Sequence, residues 1–210
     1  MGHRYTEVLG INVDTSDDKE IFKWFLAAIL FGAPIREFSA IKTYEAFEKH
    51  RIVTPEKIVK TGWDGLVKIL DEGSYTRYDY KTADKLLLVM DNLNKNYGGS
   101  LNRLHEQAVN SADLEDRLKK LGKGIGDVTV SIFLRELRGT WKKADPKPTP
   151  LVVSAAESLG LIENENPQEA LTELKNFWKR NEVKGKTIVN FETALLRWRK
   201  ETRRRAHTRV

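Results

Sequence analysis

The sequence predicts an all-α protein. Apolar residues recur at helical spacing along nearly the whole chain. Capping residues and Gly or Pro breaks cut that pattern into helix-length segments. No alternating run long enough for a strand lies between them.

The elements follow in order. Asp14-Thr-Ser-Asp-Asp18 offers several N-cap side chains, so a helix is expected at about 18–32, ended by Pro34. A second, at about 37–49, carries Phe38, Ile41, Tyr44 and Phe47 at three-residue steps. Thr54-Pro55-Glu56 reads as N-cap, N1 proline and first-turn acid of a short helix to Thr61, and Trp63 to Leu70 is another. After a turn at Gly73–Asp79, Tyr80 to Tyr97 is long and amphipathic, with Ala83, Leu86, Leu87, Met90 and Leu93 on one face. Gly98-Gly99 stops it, and helices at about 101–109 and 113–121 come next. A further helix follows the glycines at 122–126. Beyond Pro150, helices are expected at about 151–159, 167–181 and 187–203, the second opened by Asn166-Pro167.

The segment from Leu118 to Leu137 carries the most chemistry. Lys123-Gly-Ile-Gly126 joins two helices, and glycine tolerates positive φ and carries no Cβ, so such a turn can bring backbone close to another molecule. The first amides of the following helix have no partner within it and, with the helix dipole, form a natural phosphate seat. Ile125 is the expected plug between the helices. The same pattern also serves as a plain tight turn.

Composition narrows the rest. The chain has 210 residues, 40% apolar and 31% charged, enough for one large or two small lobes. Zero cysteines excludes disulfides, thiolate zinc sites and cysteine-ligated iron–sulfur clusters. Abundant Lys and Glu with no Cys and two Met resembles heat-adapted composition. The longest apolar run, Phe25 to Pro34, is too short to span a bilayer, and no leader peptide or membrane attachment is expected. Residues 197–210 hold seven basic side chains (Arg197, Arg199, Lys200, Arg203, Arg204, Arg205, Arg209) and one acid, Glu201; seven less one is the whole formal net charge of +6. The body is therefore near neutral and the C-terminus a basic arm, suited to a polyanion or simply to solvent.

The chain resembles the endonuclease III superfamily of DNA glycosylases over nearly its whole length. The helix-hairpin-helix turn is one match; Phe25-Leu-Ala-Ala-Ile-Leu30, Thr54-Pro-Glu-Lys-Ile58 and Gly73-Ser-Tyr-Thr-Arg-Tyr-Asp-Tyr-Lys-Thr-Ala83 are others. Past the turn, Asp145 in Trp141-Lys-Lys-Ala-Asp-Pro-Lys-Pro-Thr-Pro150 stands where that family has an aspartate. The resemblance implies two helical lobes flanking a DNA-binding cleft: residues 30–135, ending in the hairpin at 118–137, and residues 1–29 with 136–210. It implies a monomer acting, without cofactor or metal, on double-stranded DNA that holds a lesion or abasic site, in the cytoplasm at the nucleoid. The implied DNA-binding residues are Lys123, Gly124, Ile125, Gly126 and Thr129 at the turn, and Tyr75, Arg77, Tyr78 and Lys81 ahead of the long helix.

Asp145 has its own chemical argument. Breaking an N-glycosidic bond builds positive charge on the sugar, and a fixed carboxylate beneath C1′ stabilises it or orients the attacking water. Asp145-Pro146 equally suits an N-cap with an N1 proline. Tyr75, Arg77 and Tyr78 are candidate wedges for the gap left by a flipped nucleotide, or anchors of their loop. Trp24, Trp63, Trp178 and Trp198 read as core, whereas Trp141 reads as a cleft-wall residue beside Asp145.

The departures from the family matter as much. Val128 stands where bifunctional members carry the Schiff-base lysine, Asp127 puts an acid at the hairpin, and Lys147 replaces a common histidine. Lys142, Lys143 and Lys147, or Lys123, are possible replacement amines, and otherwise phosphate contacts. Three expectations follow: a monofunctional glycosylase of base-excision repair, an abasic-site lyase or bifunctional glycosylase using a relocated lysine, and a non-enzymatic DNA-binding protein that keeps the hairpin.

Overall fold

The computed structural model describes residues 2–164 and 166–208, and side chains as far as Arg205. It contains eleven α-helices and no strand among the described residues. None of these helices is long and apolar enough to cross a membrane.

Two compact units divide the chain, one of residues 9–145 and one of the N-terminal residues up to Val8 with those from Pro146 onward. The division differs from the expected boundaries at 29/30 and 135/136. The reason lies in α2 (Asp18–Phe31), every residue of which from Phe25 to Leu30 is buried. A helix apolar on nearly all faces must be enclosed, and α3 (Glu37–Lys49), α6 (Leu101–Gln107) and α8 (Asp127–Glu136) enclose it within the larger unit. Asp17 caps α2 by accepting from the amides of Lys19 and Glu20.

The buried face of α3 is Ala40, Thr43, Tyr44, Ala46 and Phe47, so Tyr44 and Phe47 of the expected stripe are buried but Phe38 is not. Phe38 is 72% exposed, because a strict three-residue step drifts around a helix that repeats every 3.6 residues. Pro55–Glu72, α4, carries the Thr54 cap and breaks at Gly62, whose φ of 69° separates the two segments expected there. It packs along α5 (Asp79–Tyr97), which Gly98 ends in a left-handed cap. Ser100 caps α6, which ends at Gln107 rather than 109, and Asn110 caps α7 (Ser111–Lys120).

In the smaller unit, α1 (Tyr5–Val8), α9 (Pro150–Ser158) and α10 (Pro167–Arg180) accompany α11 (Ile188–Thr208). The amide of Asn190 on α11 reaches the Gly2 carbonyl, and Arg197 lies over the Tyr5 ring at 4.9 Å. The expected arm is therefore helix: Arg203, Arg204 and Arg205 extend α11, and Arg209 lies outside the described residues.

Candidate functional site

The glycine turn is built against α5. Asn92 donates from its side-chain amide to the Leu121 carbonyl at 2.8 Å, which fastens the end of α7. A Cβ at Gly122 would lie 2.8 Å from a Val89 methyl, and one at Gly124 would lie 2.6 Å from Cε of Lys85. Gly124 also has φ 94°, so the turn itself requires glycine there. The amide of Ile125 closes on the Gly122 carbonyl at 3.1 Å, and the Ile125 side chain is buried, in the position expected of the plug.

Gly126 is different. Its φ is −110°, which any residue adopts, and a Cβ there would meet nothing within 4 Å. It caps α8 without a side-chain hydrogen bond, so the first amides of that helix have no capping side chain. Lys123 is exposed beside it. Asp127, the unexpected acid, is paired with Lys119 on α7 at 2.6 Å, a bond that raises the lysine's pKa and clips the two helices together. Val128 is exposed. Thr129 is not a surface contact as expected: it is buried, and a Cβ at Gly32 of α2 would collide with its hydroxyl.

From the turn, α8 runs inward along α2. The Trp24 indole donates to the Phe133 carbonyl at 3.0 Å, and Phe25 meets Phe133 edge-on. The loop that follows ends at Asp145. Trp141 is core, not cleft wall: its indole N–H donates to Asn102 Oδ1 at 2.8 Å, and its ring stacks on His105 at 4.6 Å. Lys143 donates from Nζ to the carbonyls of His105 and Glu106, at 2.6 and 3.3 Å, so it closes the C-terminus of α6 rather than standing ready as an amine. Burial, reinforced by the Lys143 charge, pushes the His105 imidazole pKa down.

Held by these anchors, Asp145 lies 3.2 Å from Nε of the buried Arg138, with its own side chain 38% exposed. It is not an N-cap. The helix after it starts only at Pro150, with Thr149 at the N-cap position and no side-chain cap bond. Lys142 and Lys147 flank it and are exposed. The arrangement presents one carboxylate between two exposed lysines, from a loop whose Trp141, Ala144, Pro146 and Pro148 are buried.

Tyr75 is no wedge in this structure. It is 1% exposed, and its hydroxyl donates to the Leu30 carbonyl at 2.8 Å. Burial pushes its pKa well above the usual tyrosine value. Tyr78 is half-buried at the start of α5, while Arg77, over its ring at 5.6 Å, and Lys81 are exposed. Trp24 and Trp178 are core as expected, Trp198 is half-buried, and Trp63 is 39% exposed. Sequence reasoning missed Arg138 and Lys85. Lys85 follows Lys81 by one helical turn, a spacing that was available to find it.

No group of three His, Asp or Glu among the described residues is placed to hold a metal ion. Set against known proteins, the chain matches no family model, no curated protein and no solved structure.

Proposed function

We propose that this protein is a glycosylase of DNA base-excision repair, which grips duplex backbone at the glycine turn and breaks the N-glycosidic bond of a damaged or mismatched base at Asp145. The observation that carries the reading is the pairing, on one helix, of two differently built ends. At the start of α8, Gly126 leaves its backbone open to a partner. Just past its end, Arg138 holds the carboxylate of Asp145. Ten residues of helix separate the ends by about 15 Å.

In the proposed step the carboxylate faces the sugar as positive charge develops at C1′. The C–N bond breaks, water adds its oxygen to C1′, and the base leaves with a proton. Val128 offers no amine at the hairpin, and Lys143 is engaged by two carbonyls. The abasic strand is therefore left intact. A lyase reading is favoured by the exposure of Lys142 and Lys147 on the loop that carries Asp145 and of Lys123 at the turn.

The test is a panel of duplexes, each with one lesion or mismatch, assayed for released base and, before and after alkali, for strand breaks. At least one substrate releases base and breaks only after alkali, and Asp145→Asn loses that release while still binding. Release from none would remove the enzyme reading and leave a binding protein. Efficient borohydride trapping of the wild type on abasic DNA would replace it with the lyase.

A further inference from the structure

Beyond the turn and Asp145, the exposed side of α5 carries groups that neither region uses. Trp63, at the start of the second segment of α4, and Tyr80, in the first turn of α5, put their ring centroids 5.1 Å apart. Both remain open to solvent, Trp63 at 39% and Tyr80 at 59%. The indole is held: its N–H donates to Oδ1 of Asp84 at 3.0 Å. An exposed aromatic pair with one ring fixed by a hydrogen bond has already lost much of the rotamer freedom that stacking would otherwise cost.

The same helix leads from that pair to the glycine turn. Lys81 and Lys85 follow Tyr80 by one and five residues, and Lys85 Cε lies against Gly124. Lys85 is half-buried, with its pKa pushed down by that burial, and it makes no ion pair or hydrogen bond among the described residues. A desolvated ammonium with no anion beside it is a costly arrangement that an incoming anion relieves. From Tyr80 to Lys85 the helix rises about 7.5 Å, with Tyr80 and Asp84 on one stripe and Lys81 and Lys85 on the adjacent one, so rings and cations form a short two-stripe lane ending at the turn.

We propose that this lane is a second nucleic-acid contact, in which Lys85 and Lys81 take phosphates next to the one at the turn and the Trp63–Tyr80 pair stacks an unpaired base. The inference rests on the DNA-binding reading above. Asp84, the acid within the lane, is occupied by the indole and orients the platform. Phosphate-tracking lysines beside exposed aromatics are the composition that single-stranded contacts require, since every base has a face to stack and every nucleotide a charge. The lane therefore fits DNA that is locally unpaired better than a perfect duplex.

The experiment measures affinity for two labelled duplexes of one sequence, fully paired or with a single bulged adenine. The wild type is expected to prefer the bulged duplex by roughly tenfold, the size of one base–aromatic stack. Tyr80→Leu, at the more exposed ring, should bring the preference to within about twofold while leaving paired-duplex affinity and thermal unfolding unchanged, and Tyr80→Phe should retain it. Lys85→Met should weaken binding to both duplexes and make the salt dependence shallower by about 0.9. Binding without a bulge preference, or a preference that survives both Tyr80→Leu and Trp63→Leu, would overturn the lane and leave the turn's role standing. Failure to bind either duplex would overturn the DNA-binding reading and the lane with it.

Discussion

The glycine turn at 121–126 and the loop at 138–149 lie at the two ends of α8 and are built on opposite plans. In the turn, Leu121 and Ile125 are buried, and the outward surface is the backbone of Gly124 and Gly126 beside the Lys123 side chain. In the loop, Trp141, Ala144, Pro146 and Pro148 are buried and Lys143 is tied to α6, so the surface offering is side chain: Asp145 between two lysines. A backbone surface suits binding that ignores sequence, and a single braced carboxylate suits chemistry at one atom. The difference teaches that affinity and turnover should respond to different substitutions.

The largest expected effect is on the loop's foundation. Trp141→Ala removes a buried indole, its bond to Asn102 and its stack on His105, so unfolding stability should fall by about 3–5 kcal/mol in a denaturant titration. A loss under about 1 kcal/mol would mean that the loop is held by something other than this anchor.

The turn offers a sharper contrast between two glycines. Gly124→Ala forces an L-residue into positive φ against Lys85 and should cost about 1–2 kcal/mol of stability. Gly126→Ala meets open space, and as a cap change should cost under about 1 kcal/mol. Its methyl nevertheless stands where backbone would approach DNA, and affinity for every duplex should drop by about 1–3 kcal/mol. Equal behaviour of the two variants would erase the distinction drawn between a glycine the fold needs and one it does not.

These two regions also differ in how far the sequence revealed them. The turn was legible because its determinants are local: two glycines around an aliphatic residue, between two periodic segments. Even there, which glycine the fold requires depended on Lys85, 39 residues earlier and joined to the turn by contact rather than by pattern. The loop was misread at Trp141 and Lys143 because their partners, Asn102 and His105, lie 39 and 38 residues earlier. Proximity to Asp145 suggested cleft roles for both, and packing against α6 decided otherwise. Tyr75 failed likewise, through a bond to Leu30 45 residues away. The all-α class and several helix starts were readable from caps such as Asp17 and Thr54, whose hydrogen bonds span two or three residues, whereas the Asn110 cap went unread and α7 begins two residues earlier than expected.

Smaller effects probe charge. Deleting residues 203–210 removes Arg203, Arg204, Arg205 and Arg209, so the slope of log affinity against log salt should become shallower by up to about four units. An unchanged slope would exclude these arginines from DNA contact. The pH response is smaller still. The folded-state pKa of His105 is lowered, so its neutral form is favoured by folding and the contribution is complete above about 6.5, the unfolded value. Stability should therefore decline as pH falls below that value, and His105→Gln should flatten the decline measured by thermal unfolding.

One measurement tests the central division directly: base release in a single turnover, at protein concentrations that saturate the DNA, for the wild type, Asp145→Asn and Gly126→Ala on one cleaved substrate. Asp145→Asn should keep the wild-type dissociation constant and lose about a hundredfold or more in rate. Gly126→Ala should need more protein to saturate and then release base at the wild-type rate. If Asp145→Asn instead releases base as fast as the wild type, or Gly126→Ala stays slow at saturation, binding and chemistry are not divided between the two ends of α8.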